Sequence, residues 1–112
     1  MATLKTTVTL EEIKQVARQL IERFCPRRVI LFGSYAYGKP HEGSDIDLLV
    51  VLPNPLSRQE AWKVVHELRE QFSLPIQISF ISSEEFEETK EVVGGIAYPA
   101  HNWGKILYEA NP

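Results

Sequence analysis

Residues Gly33 to Leu52 read GSYAYGKPHEGSDIDLLVVL, and this stretch decides what kind of fold the chain can adopt. A Gly-Ser pair is followed by ten residues and then by Asp45-Ile46-Asp47, which opens an apolar run. Side chains alternate across a strand, so Asp45 and Asp47 project from one face with Cβ atoms roughly 7 Å apart. Leu49 and Val51 continue that face, while Ile46, Leu48, Val50 and Leu52 line the other. A strand apolar on both faces is buried on both. The two carboxylates therefore stand at the mouth of an otherwise buried strand over about 45–52. Leaving two desolvated like charges without partners costs on the order of several kcal/mol each. A hard cation relieves that cost, and paired carboxylates completed by substrate phosphates are how Mg²⁺ is usually held.

Upstream, Val29-Ile30-Leu31-Phe32 is too short and too β-branched for anything but a strand. Gly33 then permits a sharp turn, and residues 34–37 make one helical turn beyond it. A glycine placed there offers free backbone N–H groups to an anion, and Ser34 adds a hydroxyl donor. A nucleoside triphosphate with Mg²⁺ would bridge the halves, phosphates at Gly33 and Ser34, metal at Asp45 and Asp47. The chemistry this supports is in-line attack at phosphorus. Gly33, Gly38 and Lys39 also have the spacing of a nucleotidase phosphate loop, but Pro40 stands where that loop needs Ser or Thr. The plainer alternatives are Ser34 as a helix cap and the aspartates as strand-end acids.

Around this centre the chain alternates. Thr9 and Glu12 form a capping box, and Leu10, Ile13, Val16, Ala17, Leu20, Ile21 and Phe24 recur at helical spacing until Pro26. Ser57 and Glu60 open a helix carrying Ala61, Val64, Val65, Leu68 and Phe72. Ile76–Ile81 reads as the third strand, with Gln77 and Ser79 on one face and Ile76, Ile78 and Phe80 on the other. Ser82 and Glu85 begin an acidic helix expected to reach about Val93, where Gly94-Gly95 breaks it. The tail is ambiguous, with Lys105-Ile106-Leu107-Tyr108 available as a last edge strand. Such alternation points to an α+β fold, a small mixed β-sheet flanked by helices.

The 112 residues suffice for one domain, 1–112, and the 44% apolar and 24% charged fractions are those of a soluble globular protein. One cysteine, Cys25, excludes an internal disulfide and a cysteine metal cage. The net charge of −3 gives no basic footprint for nucleic acid. No stretch is apolar enough for a leader or a membrane span, so a cytoplasmic setting with no membrane contact is expected. Aromatic residues near the C-terminus leave both a homodimer and a hetero-complex open.

Gly33-Ser34, ten residues, Asp45-x-Asp47 after an apolar strand resembles the minimal nucleotidyltransferases of the DNA polymerase β-like superfamily. The likeness extends over "ILFGSYAYG", "SDIDLLVVL" and a closing "GKILYE". It implies the nucleotidyltransferase fold, ATP as substrate, Mg²⁺ or Mn²⁺ as cofactor, and transfer of AMP to an acceptor. It further implies a HEPN-domain partner, with this chain as the antitoxin of a toxin–antitoxin system that modifies a tyrosine of the partner. Asp45 and Asp47 would be the catalytic metal ligands, with Gly33 and Ser34 binding the nucleotide. One feature departs from the family: a third carboxylate is expected on the next strand, and Gln77 stands in its place. Gln can coordinate weakly but cannot take up a proton. The alternative reading is thus a catalytically impaired nucleotide-binding module that neutralises its partner by contact. Glu42 as a substitute carboxylate, and Lys39 as a phosphate contact, are the remaining loop candidates.

Overall fold

The computed structural model describes residues 8–38, 40 and 43–110. Its elements are α1 (Leu10–Phe24), β1 (Arg28–Phe32), α2 (Ser34–Tyr37), β2 (Ile46–Leu52), α3 (Arg58–Phe72), β3 (Ile76–Ser82), α4 (Ser83–Thr89), α5 (Ala97–Trp103) and β4 (Lys105–Glu109). The strands form one sheet in the order β3-β2-β1-β4, parallel between β2 and β3 and antiparallel elsewhere. This is the expected mixed sheet.

Helices cover both faces because both faces of β2 are apolar. Ile46, Leu48, Val50 and Leu52 pack with Ile13, Val16 and Leu20 of α1 and with Val64 and Leu68 of α3. Leu49 and Val51 lie on the other side with Ile30, Phe86 of α4, and Ala97 and Ala100 of α5. Burying each such Val, Ile or Leu stabilises by roughly 1.5–3 kcal/mol, so β2 is the axis of the core. The three capping signals hold: Thr9 and Glu12 make the reciprocal box, and Ser57 and Ser82 accept from the N–H groups of Glu60 and Glu85.

Three boundaries differ from expectation. The second strand begins at Ile46, leaving Asp45 just ahead of it. Helix α4 stops at Thr89 rather than near Val93; the Val92 N–H turns back to the Thr89 carbonyl, and Gly94 takes φ 106°. The ambiguous tail contains α5, whose Pro99 falls in the first turn, where a missing N–H leaves no intrahelical bond unmade. Beyond it Gly104 is required by close approach: a Cβ there would run into the Ala100 carbonyl and stand 2.6 Å from Ile30 Cγ2. That contact brings β4 in against β1 as the edge strand. Among the described residues, no helix is long and apolar enough to cross a membrane.

Candidate active site

Strand β1 ends where β2 begins. Their antiparallel register sets Phe32 opposite Asp47, so Gly33 leaves the sheet directly beside the Asp47 side chain. Gly33 has φ 76° and ψ −161°, a conformation almost confined to glycine. A Cβ at this position would also collide with the Asp47 carboxylate. Two independent reasons thus demand glycine here, and the second ties the turn to the acid pair.

Ser34 follows as the first residue of α2, and the N–H groups of Ala36 and Tyr37 close back on the Gly33 carbonyl. The N–H groups at the very start of such a turn have no intrahelical acceptor and face outward. Asp47 is half-buried and Asp45 exposed. Burial pushes the Asp47 carboxyl above its ordinary value, and the neighbouring Asp45 charge pushes it further the same way. Among the described residues, neither aspartate has an ion-pair partner. Two convergent carboxylates, one of them partly desolvated and uncompensated, are a donor set that fits a hard divalent cation. No group of three or more His, Cys, Asp or Glu side chains suited to a metal occurs among the described residues. Further ligands would have to come from substrate phosphates and water.

The parallel register of β2 and β3 sets Gln77 opposite Asp47, the position inferred for the missing third carboxylate. Its amide oxygen is engaged elsewhere: it accepts from the Arg69 guanidinium at 2.9 Å, while Arg69 Nε donates to the Ile76 carbonyl at 2.6 Å. Arg69 carried no signal in the sequence, since its partners lie beyond a turn and across the sheet edge. Gly33, Ser34, Asp45, Asp47 and Gln77 are thus gathered at one end of the sheet; Lys39 and Glu42 lie outside the described residues.

An acid pair at a strand mouth, beside a glycine bend in a small α+β sheet, is an arrangement suited to a polyphosphate and its cation. The profile of the nucleotidyltransferase domain family matches residues 10–97, most of the chain. The chain belongs to the nucleotidyltransferase domain family. It is similar to the protein adenylyltransferase MntA of Thermococcus cleftensis, 45% identical over 47 residues, 38% of this chain and 48% of that protein. The matched stretch spans about half the length of the curated relatives. Among solved structures, a toxin–antitoxin complex with AMP-PNP superposes with a TM-score of 0.67 at 21% identity, over 88% of this chain and 74% of the other. A tri-AMPylated Shewanella oneidensis HEPN toxin with its MNT antitoxin gives a TM-score of 0.54 at 21% identity, over 89% and 69%. At these identities the structural likeness establishes the fold.

Proposed function

We propose that this domain binds ATP with Mg²⁺ or Mn²⁺ and transfers AMP to a hydroxyl of a HEPN-domain protein, as the antitoxin of a cytoplasmic toxin–antitoxin pair. The observation that carries the reading is the contact between Gly33 and Asp47, which makes the bend and the acid pair a single site. The kinds of protein found among its relatives and neighbours, an adenylyltransferase and an AMPylated HEPN complex, support the choice of nucleotide and partner.

In this reading the backbone at Gly33-Ser34 and the Ser34 hydroxyl hold the β- and γ-phosphates. Asp45 and Asp47 hold the cation. What a bound Mg²⁺ or Mn²⁺ supplies is neutralisation of charge on the reacting phosphate. The acceptor oxygen forms a bond to the α-phosphorus as the bond from phosphorus to the bridging oxygen breaks. Pyrophosphate departs with the electron pair, and the hydroxyl proton passes to water. Gln77 cannot accept that proton, so the chain's contribution is mainly positional and electrostatic.

One observation favours a second reading. The Gln77 oxygen is held by Arg69 rather than left free for a cation, which suits a nucleotide-binding module that neutralises its partner by contact. The test is to incubate the domain with ATP, Mg²⁺ or Mn²⁺ and a HEPN-domain protein that it binds, and to weigh that protein intact. Mass gains of whole AMP units, abolished by Asp47→Asn, are expected. An unmodified partner in a stable complex would replace the enzyme with the module.

A further inference from the structure

Strand β3 is an edge of the sheet, and a cleft of about 260 Å³ runs between it and α3, lined by Trp62, Val65, His66, Arg69 and Gln77. The Trp62 indole stacks on the His66 imidazole with centroids 4.9 Å apart and planes 10° from parallel, yet Trp62 is 68% exposed. Arg58 stands four residues before Trp62 and therefore begins the same helical stripe, which ends at Arg69 about 16 Å further on. Among the described residues neither arginine has a carboxylate partner, although Arg23 pairs with Glu67 at 2.8 Å and His66 meets Glu70 at 3.7 Å. Arg69, which also donates to the Ile76 carbonyl and the Gln77 amide oxygen, lines the cleft, and Arg58 stands beyond its end, so two guanidinium charges without carboxylate partners bracket a large exposed indole. They give this edge a chemistry of its own.

Its position says what would meet it. In the strand order β3-β2-β1, Asp47 lies between the Gly33 bend on the β1 side and Gln77 on the β3 side. In-line displacement requires the nucleophile to enter opposite the leaving group. With pyrophosphate leaving over Gly33-Ser34, the acceptor hydroxyl arrives over β3; the cleft lies on the α3 face and Asp47 on the other, so a segment seated in the cleft reaches Asp47 around the β3 edge at Gln77.

We propose that the α3–β3 cleft receives the acceptor segment of the partner protein, an extended acidic stretch. Its carboxylates pair with Arg58 and Arg69, and an aromatic side chain covers Trp62. About five extended residues span the distance between the two arginines. The direction of attack rests on the transfer reading above; the charge and shape of the cleft do not. Arginines interleaved with an aromatic ring also suit single-stranded RNA, but the chain's net negative charge favours the acidic peptide.

Trp103→Phe leaves Trp62 the one tryptophan in the chain, so its emission reports on the cleft. The probes are a peptide with a central tyrosine flanked by glutamates, the same peptide with lysines, and a ten-nucleotide RNA. Saturable quenching by the acidic peptide alone is expected, with Kd raised at least about five-fold by Arg58→Gln plus Arg69→Gln and restored by Arg69→Lys, since these are charge-assisted contacts. If Arg69→Gln does not fold, Arg58→Gln alone should raise Kd about two-fold and wild-type binding should weaken in high salt. Equal binding of both peptides, insensitivity to the arginines, or tighter binding of the RNA overturns the proposal. Calorimetry with AMP-PNP and Mn²⁺ separates the two readings: the arginine variants should bind nucleotide within about two-fold of wild type, taking 0.4 kcal/mol (about RT ln 2) as the limit. Wild type binding no AMP-PNP would end the transfer reading, while the peptide comparisons would still decide the cleft.

Discussion

The two ends of the sheet handle charge in opposite ways. At the Gly33 end, among the described residues, two neighbouring aspartates have no ion-pair partner, and the half-buried one is held above its ordinary pKa. At the far end a larger cavity, about 670 Å³, is bordered by Arg27, Arg28, Glu84, Glu87 and Glu109. There, two of the three carboxylates are paired. Arg28 pairs with Glu109 at 2.8 Å and lies 5.6 Å from the Phe86 ring centre, and Lys90 pairs with Glu87 at 2.9 Å. The Lys90 hydrogen bond is the main reason the Glu87 carboxyl sits below its usual range. The larger cavity is therefore the one whose acids have found cations of the chain, Glu109 and Glu87 both being paired. Charge left over after folding, rather than volume, is what distinguishes the candidate site.

The contrast can be broken most sharply at Asp47. On the proposed transfer reading, Asp47→Asn should reduce AMP transfer on the order of 10³-fold or more, because it would remove a carboxylate at the reacting phosphate. Intact mass spectrometry of the partner reads this directly. Next in size is Gly33→Ala. Forcing a Cβ into that backbone region costs on the order of 1–3 kcal/mol, and the collision with Asp47 adds to it, so both the denaturant midpoint and nucleotide affinity should fall.

A third expectation concerns pH. An acid whose folded pKa is raised contributes stability below its unfolded value, near 3.8, and loses it as pH rises through the folded value. Asp47→Asn lacks that loss. Its melting temperature at pH 7.5 should equal or exceed that of wild type, with the advantage disappearing near pH 3.5. A variant that is inactive and markedly less stable at pH 7.5 would mean that Asp47 supports the fold instead. The smallest effect belongs to the far end: Glu109→Gln should cost under about 1 kcal/mol, as partly exposed ion pairs do, and leave transfer unchanged. A large loss of transfer there would overturn the contrast between the two ends.

The site was legible to the extent that it is local. The alternation of Ile46 to Leu52 gave the buried strand, and the same period put Asp45 and Asp47 on one side of it. The capping pairs at Thr9, Ser57 and Ser82 marked three helix starts, because the N-cap hydrogen bond is made within four residues. Helix α5 carries no such signal: it is short, has no side-chain cap and contains a proline, so nothing in its own residues outweighs a loop reading. It exists because Ala97 and Ala100 are small enough to settle on β1 and β2 beside Phe86.

What the sequence determined by itself was the periodicity, the caps and the identity of the groups available for chemistry, since each follows from neighbours along the chain. Tertiary structure alone decided which of those groups meet. The register of β1 on β2 presses Gly33 against Asp47, that of β3 on β2 brings Gln77 alongside, and Arg69 takes the Gln77 oxygen from across the sheet edge. Strand register is fixed by burying both faces of the sheet at once, a condition that involves the whole core and is written in no single segment.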